Sequence, residues 1–140
     1  MIAYRETFLQ GISNGLKTSL ILIKVVIPFY ILISILKETP IISYAANIFS
    51  PIMKYLGLPG DAAVAILAGY LVNLYAGIAV MIPLGLTAKQ ITILGLLLGL
   101  SHNLIIETLV LREIKTNYLL LLGVRISLSL VMAFTINQII

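Results

Sequence analysis

Apolar residues fill four long runs of this chain, and the polar positions between them act as punctuation. The first run extends from about Thr18 to Leu36, with Lys24 and Pro28 inside it. A helix of that length rises about 28 Å, enough to cross the hydrocarbon core of a bilayer. Pro28 has no N–H to donate and is expected to kink it. Further runs cover about 62–83, 91–111 and 118–136. Ahead of the first, residues 1–17 mix Arg5, Glu6, Gln10 and Asn14 with Phe8, Leu9 and Ile12, which share one helical face. That pattern predicts a short interfacial segment.

The punctuation is specific. Thr39 followed by Pro40 reads as an N-cap with proline at the first helical position. Over 40–56 the apolar character is broken by Ser43, Tyr44, Asn47, Ser50, Pro51 and Lys54. Ser50-Pro51 looks like a fresh start, so this stretch is expected to form short broken helices that lie at the interface or re-enter. Gly57 closes it as a C-terminal cap, and Leu58-Pro59-Gly60-Asp61 is a turn with Asp61 as a candidate N-cap. Gly69, Asn73 and Gly77 recur every four residues, and Gly95 and Gly99 make a second small-residue pair; such stripes let another backbone approach closely. Thr87 and Gln90 have capping-box spacing.

Composition agrees with the pattern. Of 140 residues, 61% are hydrophobic and 10% charged, against about 25% charged in soluble domains. The fold class is therefore an all-α integral membrane protein forming a single domain, with about four transmembrane helices plus short interfacial or re-entrant helices. No cleavable leader is expected, because the first fifteen residues carry Arg5, Glu6, Gln10 and Asn14 and no small-residue cleavage site follows the first run. Without cysteine, disulfides and thiolate metal sites are excluded. The net charge of +4 comes from scattered Lys and Arg, with no stripe to hold nucleic acid.

Ionisable residues inside a span are costly, so each of Lys24, His102, Glu107 and Arg125 needs a reason. Placed on continuous helices, Asn73 falls at the centre of the second span, and Ser101, His102 and Asn103 at the centre of the third. Polar side chains at one depth on two close-packed helices form a candidate substrate site of Asn73, Ser101, His102, Asn103 and Glu107. The bland alternative is interhelical hydrogen bonding. Imidazole chemistry would also suit His102 to a proton relay. Tyr70 and Tyr75 offer rings that could stack on a ligand or merely pack. Glu107 is expected to pair with Arg125 in the same subunit, with Lys24 as the partner across an inverted interface, unless Lys24 snorkels. One His and no Cys leave a transition metal without enough ligands from one subunit. No cofactor is expected. Nothing has the form of a nucleophile–base pair or a phosphate-cradling loop, so an enzyme is not expected.

The stretch from Phe49 to Ile114 carries a resemblance. It reads Ser50-Pro51, then Leu56-Gly57-Leu58-Pro59-Gly60-Asp61-Ala62-Ala63, Asn73-Leu74-Tyr75-Ala76-Gly77, Leu86-Thr87, and finally His102-Asn103-Leu104-Ile105-Ile106-Glu107. These motifs resemble the nucleoside-recognition, or Gate, domains of membrane proteins, whose relatives include the membrane halves of bacterial ferrous-iron transporters and spore maturation membrane proteins. The resemblance implies a transport-related domain with broken or re-entrant helices. Two-Gate transporters carry the domain twice, inverted; one copy here implies pairing with a second, and the cysteine of iron-gating helices is absent. The expected function is a small-solute transporter subunit in the cell membrane, working as a homodimer on an unidentified solute, with nucleoside-like molecules the class the family's name implies. The alternative is a non-transporting assembly or regulatory protein.

Charge balance bears on the pairing. With four spans, Arg5, Lys17 and Lys89 face one side and Lys37, Lys54, Arg112 and Lys115 the other. So even a split favours dual topology and an antiparallel dimer. If 41–56 crossed, the split would be five against two and orientation would be fixed.

Overall fold

A computed structural model describes residues 2–140. Among them the chain is helical with no strand, in the order α1 (Ile2–Lys37), α2 (Pro40–Tyr55), α3 (Ala62–Leu71), α4 (Leu74–Met81), a 3-10 turn (Ile82–Leu84), α5 (Ala88–Leu100), α6 (Leu104–Glu113) and α7 (Tyr118–Ile139). Three helical stretches are long and apolar enough to cross a membrane: Tyr4–Lys37, Ala88–Glu113 taken through its break, and Tyr118–Ile139. The protein is a membrane protein built around these three.

Several boundaries differ from those expected. No break separates residues 1–17 from the first span. α1 is continuous for 36 residues, because no proline or capping residue interrupts it near Lys17 and Ser19 Oγ simply bonds back to Gly15 O. Nor is 40–56 broken. α2 starts as expected, with Thr39 as N-cap accepting from Ile41 N–H and Pro40 in the first turn, and then runs through Ser50-Pro51. Proline removes one intrahelical bond, but Ile42 and Met53, eleven residues apart on one face, are both buried and hold the two halves in line.

The second span is not a single rod. α3 and α4 fold back on each other as a hairpin with its tip at Val72-Asn73. A Cβ added at Gly77 would lie 3.1 Å from Gly69 Cα and 3.2 Å from Ala65 O. In one straight helix, residues eight and twelve positions apart would be separated by about 12 and 18 Å. The stripe expected to receive another helix thus receives the other arm of the same hairpin, and Leu98 of α5 fills what remains. The third span is also interrupted, at Ser101-His102-Asn103, between α5 and α6.

α7 lies antiparallel to α5 and α6 along their whole length. Lys89 Nζ donates to Asn137 O at one end, and Arg125 reaches Leu100 O near the middle. Lys37 Nζ donates to Pro83 O, and Asn137 Nδ2 donates to Tyr55 O. The end of α1, both ends of α2, both feet of the hairpin, the start of α5 and the end of α7 therefore gather on one side. α2 begins and ends on that side.

The core is small. Ile93, Leu94, Leu97 and Leu98 of α5 are fully buried against Ala62, Ala63 and Ile66 of α3 and Ala133 of α7. A second cluster joins Ile33 of α1 to Ala65, Val80 and Leu84. Most large apolar side chains of α1 and α7 point outward, as expected where lipid is the solvent. The α2–α3 turn is tight: a Cβ on Gly60 would collide with the Ala46 carbonyl. By contrast, a Cβ added at Gly95 or Gly99 would meet no neighbouring element within 4 Å, so the face they share is open. Gly60→Ala is expected to destabilise the protein by about 1–3 kcal/mol through forced backbone movement, whereas Gly95→Ala, an exposed helical position, should be neutral or slightly stabilising. Thermal melts of both variants in detergent would check the contrast; equal melting temperatures would contradict it.

Candidate functional site

The hairpin tip and the α5–α6 break meet. Helix ends leave unpaired carbonyls and amides, which are expensive away from water, and one bond joins the two ends directly. Asn103 N–H donates to Gly69 O at 2.9 Å, stitching the break to the last turn of α3. Asn73, expected as a midplane polar residue on a continuous span, sits instead at the hairpin tip and N-caps α4, its Oδ1 accepting from Ala76 N–H at 2.9 Å.

At the break, α5 ends on carbonyls that the following residues satisfy. Ser101 N–H donates to Leu97 O at 3.1 Å. The His102 ring nitrogen Nδ1 lies 2.9 Å from Leu98 O; a carbonyl only accepts, so Nδ1 carries the proton and Nε2 is left facing away from that bond. Asn103 adopts the left-handed conformation, with φ 55°, a region asparagine tolerates better than most residues. Its backbone turns the chain into α6, and its side-chain Oδ1 is buried without a hydrogen-bond partner.

Ser101 is fully buried and belongs to a hydroxyl cluster. Its Oγ lies 2.8 Å from Tyr70 OH and 2.9 Å from Ser129 Oγ, and Ser129 donates to Ile126 O at 2.9 Å. Since Ser129 gives its one proton to that carbonyl, it accepts within the cluster. Tyr70 is thus a packing and hydrogen-bonding residue; Tyr75 is exposed. Ser129 was not among the residues expected from sequence. Its signal is the four-residue recurrence Arg125, Ser129, Ala133, Asn137, a small and polar stripe on an otherwise leucine-rich helix.

Arg125 binds the break from the side. Its Nε donates to Leu100 O at 3.2 Å and its Nη2 to His102 O at 3.3 Å, while Nη1 is ion-paired with Glu107 Oε2. The cation stands at the carbonyl end of α5, and Glu107 lies in the first turn of α6, so each charge complements the dipole of its half-helix. Lys24 is exposed on α1, and the Glu107 carboxylate already has its partner in Arg125. An open groove of about 350 Å³ between α6 and α7 runs past the pair, lined by Ile106, Glu107, Val110, Leu111, Leu121 and Arg125.

Residues 19–136 match the family described as Nucleoside recognition, or Gate. The chain is 38% identical over 135 residues to "Uncharacterized membrane protein YvoD" of Bacillus subtilis (strain 168), covering 96% of this chain and 43% of that protein. It is 30% identical over 138 residues to "Uncharacterized protein MJ0880" of Methanocaldococcus jannaschii, covering 95% of this chain and 43% of the relative. The chain therefore spans less than half the length of either relative. No solved structure matches it.

Arg125 serves two carbonyls and a carboxylate, whereas Glu107, with 39% of its side chain exposed, serves Arg125. Arg125→Gln is expected to cost about 2–3 kcal/mol, and Glu107→Gln about 1 kcal/mol or less. The double variant should cost less than the sum. Denaturation of the four proteins measures the cycle; strict additivity would show that the pair does not act as a unit.

Proposed function

This chain belongs to the nucleoside-recognition (Gate) family, and from that premise we propose that it is a subunit of a small-solute transporter whose binding site is the junction of the hairpin tip with the α5–α6 break. One observation carries the reading: Asn103 Oδ1 is buried and unpartnered at that junction. An acceptor out of solvent calls for a donor, and a solute bearing hydroxyl or amino N–H groups, as nucleoside-like molecules do, supplies one. Broken helices with their ends at mid-depth are the usual architecture for such a site. His102 Nε2, the Asn73 amide and Glu107 surround the approach in this reading.

The proposed topology has three crossings, by α1, by α5 and α6 together, and by α7, in the cell membrane. The α3–α4 hairpin enters and leaves on one side, and α2 lies at that surface. Arg5, Lys17, Arg112 and Lys115 then face one side and Lys37, Lys54 and Lys89 the other. Four against three is as weak a bias as the four-span tally, so the antiparallel homodimer remains the proposed assembly. The relatives are long enough to hold a second unit of this size; the proposed partner is a second copy of this fold, with Lys24 and the open Gly95–Gly99 face available to the interface.

A second reading has its own support. The Tyr70–Ser101–Ser129 cluster is closed and mutually satisfied, as in a protein whose polar residues serve helix packing in a non-transporting assembly.

Binding of adenosine and uridine to the purified oligomer, followed by calorimetry, separates the two. The transport reading expects measurable binding that His102→Leu weakens at least tenfold while the oligomer stays intact; an unchanged affinity in that variant would sink the site. For topology, single cysteines replacing Glu38 and Thr116 should each label from both faces of the membrane. Strictly opposite labelling of the two would establish a fixed orientation and remove the antiparallel dimer.

A further inference from the structure

We propose that the Arg125 guanidinium is a built-in cation at the α5–α6 break, holding the position that a dissolved monovalent cation would otherwise fill, so that this break needs no coupling ion. Three oxygens converge on it: Leu100 O, His102 O and a Glu107 carboxylate oxygen. Two backbone carbonyls at an unwound turn plus one carboxylate are hard oxygen donors, the set that alkali cations take at broken transporter helices. The electrostatics point the same way. α5 presents its negative end to the gap, Glu107 adds a full negative charge, and one fixed positive charge neutralises them. Arg125 uses Nε, Nη1 and Nη2 separately, one for each oxygen, which its fork geometry permits and a point charge does not. Being tethered to α7, this cation cannot leave. The charge at the break is therefore constant whatever the salt outside.

That no coupling ion is needed rests on the transport reading; the guanidinium's place at the break rests on no choice of solute, so the melting test and the solute-binding test fail separately. The test is the melting temperature of the purified chain in sodium, potassium and choline chloride at equal ionic strength, with and without millimolar methylguanidinium. The unmodified protein and Glu107→Gln, which both keep the guanidinium, are expected to melt alike in all three salts. Arg125→Ala is expected to melt lower in choline and to regain several degrees with sodium or methylguanidinium. Adding Glu107→Gln to Arg125→Ala should abolish that recovery by removing the charged ligand. Should Arg125→Ala fail to fold in choline, solubilising it with sodium or methylguanidinium is expected to restore a monodisperse peak. The proposal is overturned if the unmodified protein is stabilised by sodium or potassium over choline, or if Arg125→Ala responds to none of these cations.

Discussion

A helix interrupted among packed helices must find partners for the peptide groups it releases, because a buried peptide group left unpaired is costly. The architecture around Ser101-His102-Asn103 follows from that constraint. Leu97 O and Leu98 O are served from within the break, Leu100 O and His102 O from α7, and Gly69 O from the break itself. Each bond ties a different element to the same point: α3 through Asn103, α7 through Arg125, and Tyr70 of α3 to Ser129 of α7 through Ser101. The packing of α5 against α7 and the seating of the hairpin are thus two results of one requirement. Leu98 shows it in the apolar core, since it fills the space beside both Gly69 and Gly77.

Much of this was legible in the sequence, and what was not has a physical explanation. Capping signals are local, so Thr39-Pro40 and the Thr87–Gln90 capping box are where the residues place them. Asp61, by contrast, makes no side-chain capping bond. Hydropathy locates apolar runs but is blind to whether a run turns back on itself. Residues 62–84 are apolar enough to cross and instead form a hairpin, because Asn73 offers a new N-cap in mid-run and Gly69 and Gly77 allow the arms to touch. The same blindness hid the break at 101–103, although Ser101, His102 and Asn103 were recognised as the polar centre. The Glu107–Arg125 pair follows from a short connecting loop and from depths on the same side of the two span centres, about 6 Å apart along the normal and within an arginine's reach. The carbonyls that Arg125 also serves do not, for they exist as ligands only once the helix is broken.

The site divides into a closed part and an open part. The hydroxyls of Tyr70, Ser101 and Ser129 satisfy one another and rigidify the contact between α3, α5 and α7. Asn103 Oδ1 and the groove past Glu107 are unfinished by comparison. A rigid scaffold beside an unfilled acceptor is what a recognition site needs, since a partner then meets groups that do not have to be rearranged first.

The length of α1 carries a consequence of a different kind. Its 36 residues extend about 54 Å, against roughly 30 Å of hydrocarbon. Because the helix runs unbroken through Pro28, the part beyond the membrane is continuous with the part inside. A tilt of about 20°, ordinary for a membrane helix, would swing the amino-terminal end sideways by roughly 18 Å. Small rotations of α1 about its seat at Ile33 would in this way become large displacements at Arg5 and Glu6, making the helix a lever arm between the core and whatever lies outside the membrane.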